Sequence, residues 1–509
     1  MKVWTADVLR DFVRSKLHGY RFIVVSNREP FEHKRAGRHI ECIPPASGMA
    51  AALDPMMQAC GGVWVAHGSG DADRQAVDQY DRVQVPPENP QYTLRRVWLS
   101  KEEIQGHYSG LSNQALWPLC HIAFTRPVFD PEHWRMYRRV NERFAEAVLE
   151  EAGSEPTFVF IQDYHFALLP RMLRNARSNL VIAQFWHIPW PNRQVFSAFP
   201  WQEEILDGLL GNDLLGFHLP QHCQNFIDTA GSLEARVDQA GSEVRRGGHS
   251  TFVRPFPISI DFDQHNELAA SDSVLDHMHR WREELPINGR LLGIGIDRLD
   301  YTKGIPERLH FLDSFLEAHP GYRGKLVFVQ IAVPSRSTLP AYHEIEREVD
   351  VLTAKINRKW RTPFWKPVIL LKRQFSAPEM IALHRLAHFC AVTSLHDGMN
   401  LVAKEFVASR IDEDGVLILS KFTGAASELK DALQVNPFAR ENGVEAFEAA
   451  LIMHPEERRR RMRKMRQAVE ENNIYCWAGK FLSALIDIEF PESAVERPAP
   501  LQVAVAMAV

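Results

Sequence analysis

Short apolar runs alternate with helix-periodic segments along almost the whole chain, and this alternation constrains the fold more than any other feature. The runs are Phe22–Ser26, Thr157–Gln162, Val181–Trp186, Leu214–Phe217, Leu291–Ile296, Lys325–Ile331, Pro367–Leu371, Phe389–Ser394 and Gly415–Ser420. A strand with one face in water alternates apolar and polar residues, whereas one apolar throughout is covered on both faces. Helical periodicity fills the intervals, as in Asp130–Ala152, Pro306–Ala318 and Pro340–Arg358. Repeated βα units of this kind build doubly wound α/β domains.

So many strands overfill one sheet, and 509 residues exceed one domain of roughly 100–200 residues. The break is expected after the strand-like Ile258–Phe262, where the chain turns polar over Asp263–Ser273. Two Rossmann-like domains, 1–262 and 263–470, should then face a central cleft. A helix at about Ala468–Ile488, within 471–490, is expected to cross back to the first domain, and 491–509 reads as a frayed end. An additional helix over Ala6–Leu17 precedes the first strand. Ligands of such folds sit at the carboxyl ends of the strands.

Composition narrows the function. With 59 basic and 64 acidic residues the net charge is −5, so the chain as a whole is not built to bind nucleic acid. The basic stretch Glu456–Arg466 reads as a solvated helix face with Met462 and Met465 inward. No run approaches the ~18 apolar residues of a membrane span, and the first twenty residues mix charge with apolar positions unlike a secretory signal. The six cysteines, Cys42, Cys60, Cys120, Cys223, Cys390 and Cys476, show no short pair spacing that would suggest a zinc site or disulfide framework. A cytoplasmic location with reduced thiols is expected.

The segment Gly293–Arg308, GIGIDRLDYTKGIPER, carries the most chemistry. A strand gives way to a turn with Arg298 and Lys303, and Pro306 opens a helix. Two cations beside a helix N-terminus suit an anion such as a departing diphosphate. The alternative is that they pair with Asp297, Asp300 or Glu307. A second junction is Ser394–Ser409, where Asp397-Gly398 ends a strand and Asn400 can cap a helix. The backbone N–H groups from Gly398 through Met399 and Asn400 to Leu401 should face the cleft. Glu405, one turn further, can bind paired hydroxyls, or be an internal partner of Lys404 or Arg410. In the first half, Asp163 (IQDYH) and His187 (FWHIPWP) close two strands and suit acid/base work or sugar hydroxyls. Arg28 (VVSNREP) and Arg336 each follow a strand and could hold a phosphate. Tyr108 and Trp117 (HYSGLSNQALWP) offer a hydroxyl and a flat face for a pyranose, or plain core packing.

These motifs, with DGMNLVAKEF and GVLILSKFTGAASEL, resemble the trehalose-6-phosphate synthase family from about Arg21 to Trp477. The resemblance implies a retaining glycosyltransferase of the two-Rossmann-domain B type. It would move glucose from UDP-glucose to glucose 6-phosphate, releasing α,α-trehalose 6-phosphate and UDP by front-face substitution without enzyme nucleophile, metal or other cofactor. Arg298 and Lys303 would hold the diphosphate, Glu405 the ribose, Leu401 and Val402 the nucleotide, and His187 and Asp397 the donor glucose. Arg28, Tyr108, Trp117, Asp163 and Arg336 would hold the acceptor, and Gly48 would lie on a loop closing over the phosphates.

Four positions depart from the family pattern: Ser47 before Gly48, His67, Gln162 and His396. The first two touch the acceptor side. They keep open a sister enzyme acting on glycerol 3-phosphate (glucosylglycerol-phosphate synthase) and, further off, a non-catalytic sugar-phosphate sensor. Oligomeric state stays open, a homo-oligomer included.

Overall fold

The chain's computed structural model describes residues 4–489 except 18, 38, 45–47, 239 and 241. In order, the first half supplies β1 (Arg21–Arg28), β2 (Glu32–Ala36), β3 (His39–Ile43), β4 (Val63–His67), β5 (Arg82–Val85), β6 (Tyr92–Val97), β7 (Thr157–Gln162), β8 (Val181–Phe185), β9 (Leu214–Phe217), β10 (Arg236–Asp238), β11 (Glu243–Arg246) and β12 (His249–Pro255). Every residue of β7, β8 and β9 is buried, as their two-sided apolar sequences require. They lie inside a sheet ordered β10-β11-β12-β9-β8-β7-β1-β4-β6-β5. Its inner pairs are parallel, while β5 and the β10–β11–β12 edge are antiparallel. The β2–β3 hairpin stands apart from it.

The second half supplies β13 (Leu291–Arg298), β14 (Leu326–Val333), β15 (Val368–Leu371), β16 (Phe389–Val392), β17 (Val416–Ser420) and β18 (Leu433–Val435). These form a wholly parallel sheet in the order β15-β14-β13-β16-β17-β18. Among the described residues no helix is long and apolar enough to cross a membrane.

The structure corrects the junction between the halves. Ile258–Phe262 is not a strand: Pro255 and Pro257 have no N–H for a ladder, and the Ile258 carbonyl is held instead by Lys404 Nζ at 2.7 Å. The polar stretch Asp263–Ser273 is largely helical. Asp261 caps a helix over Phe262–Ala269 by accepting from Gln264 N at 3.1 Å, and a second helix spans Asp272–Glu284.

The C-terminal helix begins later than the sequence suggested, running from Ile474 to Glu489. It is separate from the basic helix Pro455–Glu471, whose Met462 and Met465 are buried. Asn473 makes the break, accepting from Cys476 N and donating to the Trp4 carbonyl. Phe481 then packs on Phe160 at 4.4 Å and Phe256 at 4.9 Å, and Trp477 on Phe185 at 5.2 Å, all of the first sheet's core. The stretch 491–509 lies outside the described residues.

Candidate functional site

The carboxyl end of β13 carries Arg298, followed by a single turn over Tyr301–Lys303 and a helix over Ile305–Ala318. Gly304 joins turn to helix with φ +62°, a conformation in which side chains are strained. A Cβ there would meet the Thr393 carbonyl oxygen at 2.1 Å, so the lysine turn sits hard against the loop after β16. That contact brings Lys303 to Asp397, Nζ to Oδ2 at 2.5 Å, although they are 94 residues apart. Asp297 is taken by buried Arg308 at 2.8 Å, and Arg298 lies over the Trp117 ring at 5.8 Å. Both cations thus face the cleft rather than the partners considered from sequence.

Asp397 Oδ2 also accepts from Ser394 Oγ at 3.2 Å and Asn400 Nδ2 at 3.1 Å. Burial disfavours its charge, but the Lys303 ammonium and these bonds hold the carboxyl well below its usual range. Asn400, at φ +82°, caps the helix Leu401–Ser409 by accepting from Ala403 N at 3.0 Å. Leu401 and Val402 are half-buried in its first turn, and Met399 is buried beneath. Gly398 is where the two halves touch: a Cβ there would lie 2.3 Å from the His187 carbonyl oxygen. Glu405 is not spent on its neighbours, since Lys404 pairs with Glu428 at 2.7 Å and Arg410 with Asp412 at 3.0 Å. Burial pushes its carboxyl up to about 7.

On the other wall, Asp163 leaves β7 with φ +69° and accepts from His187 N at 3.1 Å. Burial raises its pKa to about 7 and lowers that of His187 to about 3, so the imidazole is neutral. His187 Nε2 meets Gln162 Oε1 at 2.9 Å; donating to that oxygen fixes the tautomer and leaves Nδ1 as acceptor. Arg28 ends β1 and donates to the Tyr108 hydroxyl at 3.2 Å. His67 is its sheet neighbour and pairs through Nδ1 with the Val97 carbonyl at 3.1 Å. Burial raises the Tyr108 pKa, but Arg336 and Arg28 outweigh it and bring the phenol to about 7, the mark of a pocket built for negative charge.

Tyr108 belongs to a thirteen-residue π-helix, Ile104–Leu116, that delivers Trp117 to the same pocket. Wide turns of this sort gather at functional sites. Arg336, at φ +49°, crosses from the second half and lies 4.2 Å from the Trp117 ring centroid. Asp163, Arg336 and Asn400 are all non-glycine residues at positive φ, a strained conformation that the surrounding structure must hold in place.

Gly48 departs from expectation: it is the first residue of a helix, Gly48–Cys60, and the adjoining 45–47 lie outside the described residues. The structure also gives places in the pocket to residues for which sequence reasoning had assigned none. Tyr164 and Tyr342 both accept from Arg336, while Asp300 lies 3.5 Å from it. His396 Nδ1 crosses the cleft to the His121 carbonyl at 2.9 Å. Tyr342 carries no signal in the sequence, being one more buried residue of the helix Pro340–Trp360. Asp300 was visible but read only as an ion partner. Among the described residues no three His, Cys, Asp or Glu side chains gather as ligands for a metal ion.

A family model for glycosyltransferase family 20 matches residues 20–487. A trehalose-6-phosphate synthase of Mycobacterium sp. (strain KMS) is 39% identical over 482 residues, covering 92% of this chain and 95% of the relative. A solved E. coli structure bound with UDP-2-fluoro glucose is 31% identical with TM-score 0.82, covering 92% of this chain and 99% of that one. An α,α-trehalose-phosphate synthase (UDP-forming) of Burkholderia xenovorans in complex with glucose 6-phosphate shows the same identity, 31%, and TM-score, 0.82, over 91% and 99%.

Proposed function

The chain belongs to glycosyltransferase family 20, and on that premise we propose that it transfers glucose from UDP-glucose to glucose 6-phosphate, giving α,α-trehalose 6-phosphate and UDP. The observation that carries this reading is the pairing of two cationic sites across one cleft: Lys303 on Asp397 beside a helix N-terminus, and Arg28 with Arg336 around Tyr108. The first suits a diphosphate that gains charge as its bond to the sugar breaks. The second suits a phosphate monoester, and the Trp117 face suits the ring attached to it.

The smaller sheet, within 263–470, then holds the donor and the larger, within 1–262, most of the acceptor. Arg298 and Lys303 bind the diphosphate, Glu405 takes the ribose hydroxyls, and the turn Gly398–Val402 lies along the nucleotide. Neutral His187 and Asp397 grip the donor glucose, and Asp163 beside them holds the acceptor. The anomeric carbon loses its diphosphate oxygen and gains the acceptor's 1-hydroxyl oxygen on the same face, so configuration is retained. The hydroxyl proton passes to the leaving phosphate. The protein cations supply the electrostatics of this step, so no metal or cofactor is invoked, and a cytoplasmic location belongs to the same reading.

The test is product analysis with UDP-glucose and either glucose 6-phosphate or glycerol 3-phosphate, with and without a chelator. Trehalose 6-phosphate from the former alone, undiminished by chelation, is the expected result. Turnover only with glycerol 3-phosphate overturns the acceptor, and loss restored by Mg²⁺ overturns the account of the diphosphate. Arg28→Ala should raise the KM for glucose 6-phosphate on the order of 30-fold or more while UDP binds nearly as before.

A further inference from the structure

Of the two arginines read as acceptor ligands, Arg336 comes from the second half, and it is held in a way its own loop does not explain. Its φ of +49° is strained and its side chain is almost fully buried. One guanidinium nitrogen donates to the Tyr342 hydroxyl and the other to the Tyr164 hydroxyl, the latter at 3.4 Å. Each phenol in turn gives its own proton to a fixed acceptor, Tyr342 to Asp300 Oδ2 at 3.1 Å and Tyr164 to Asn113 Oδ1 at 2.9 Å. Burial and the Asp300 charge keep Tyr342 well above the usual phenol range, so it stays a donor. Among the described residues the Arg336 Nε, though buried, has no partner, leaving that N–H for a ligand.

Asp300 does a second job with its other oxygen. Oδ1 accepts from Thr302 N at 3.0 Å and Thr302 Oγ1 at 2.9 Å, which closes the turn that presents Lys303. One buried carboxylate thus shapes the lysine turn with Oδ1 and orients the arginine with Oδ2, both through Tyr342 and by a direct ion pair at 3.5 Å. We infer that Tyr342 and Asp300 are positioning residues that aim Arg336 at the acceptor's phosphate and tie its orientation to the turn carrying Lys303. This rests on reading Arg336 as the acceptor-phosphate ligand. Substrate contact stays with Arg336 and Lys303; Tyr342 and Asp300 act through them.

The readout is the ratio of kcat/KM for glucose 6-phosphate to that for glucose, measured beside UDP affinity and thermal unfolding. Tyr342→Phe should lower the ratio on the order of 10- to 100-fold, the cost of one hydrogen bond to a charged group, with UDP affinity within about twofold of the parent. Arg336→Ala should lower the ratio at least as far. If Arg336→Ala does so and Tyr342→Phe does not, the positioning role is wrong while the phosphate reading stands. If Arg336→Ala leaves the ratio alone, the phosphate reading fails and the positioning role with it. Equal weakening of UDP and acceptor in Tyr342→Phe, with a lowered Tm, marks a merely structural tyrosine and also overturns the inference. Should Tyr342→Phe not fold, Asp300→Asn decides: turnover and ratio should fall together, and an unchanged ratio refutes the tie between the two subsites.

Discussion

Single side chains in the cleft do opposite electrostatic work, and pH separates them. Lys303 is needed most as the diphosphate departs, so Lys303→Ala should lower kcat by about 10²–10³ with UDP affinity changed far less, as steady-state kinetics and calorimetry would show. Glu405 behaves the other way in the empty enzyme. Burial moves its carboxyl from 4.5 to about 7, so the folded chain keeps a proton that the unfolded chain releases. The stability from this group is full below its unfolded pKa and is lost as pH rises through about 7. Glu405→Gln, neutral at every pH, should therefore melt about 2–4 °C above the parent near pH 8, with the gap closing towards pH 5. Scanning calorimetry across that range checks it; a gap that widens on acidification would show that burial does not govern this carboxyl. The same substitution should weaken UDP, since a neutral amide cannot accept from two ribose hydroxyls as a carboxylate does.

At the scale of elements, the turns after β13 and β16 and the start of the helix Ile305–Ala318 form one unit held together by close backbone approach. Gly304→Ala isolates that approach, because two costs are separable. Gly289 has a similar φ, +69°, and a Cβ added there would meet nothing within 4 Å, whereas a Cβ at Gly304 meets a carbonyl at 2.1 Å. Alanine at 289 should cost only the left-handed conformation, roughly 1–2 kcal/mol. At 304 it should cost more and move the lysine turn, so kcat falls as well. Urea unfolding of both variants beside their turnover measures the difference; equal costs and unchanged kcat would show that the turn is not wedged. Most of the inner strands, β1, β7, β8, β9, β13, β14, β16 and β17, were legible in the sequence because apolar runs mark them and the next polar residue must lie at their carboxyl ends, whereas the inner strands β4 and β12 were passed over. The edge strand β5 and its neighbour β6 were not, since RVQV and YTLRRV mix charge into the strand. The π-helix Ile104–Leu116 was also hidden, for its spacing follows neither the helical nor the strand period.

Over the whole molecule, the last helix returns from the second half to complete the first sheet's core. Phe481 is fully buried against Phe160 and Phe256, so Phe481→Ala should cost about 3–5 kcal/mol by leaving a cavity under that sheet. Thermal melts should show the loss while kcat at low temperature changes little; a stability within error of the parent would mean the helix is only draped over the sheet. What the amino-acid sequence determined by itself is the α/β class, the parallel inner strands and the residue types at their ends, including Arg298, Lys303, Asp397, Asp163 and His187. These follow from local order, since burial on two faces and a turn after each strand are properties of short segments. Only the tertiary structure decided the partnerships: Lys303 with Asp397, 94 residues on, and Arg336 between Tyr342 and Tyr164, the latter 172 residues away. The first depends on β16 pairing beside β13 in the smaller sheet, and the contact with Tyr164 on how two separately wound sheets pack against each other; no periodicity within a segment encodes either.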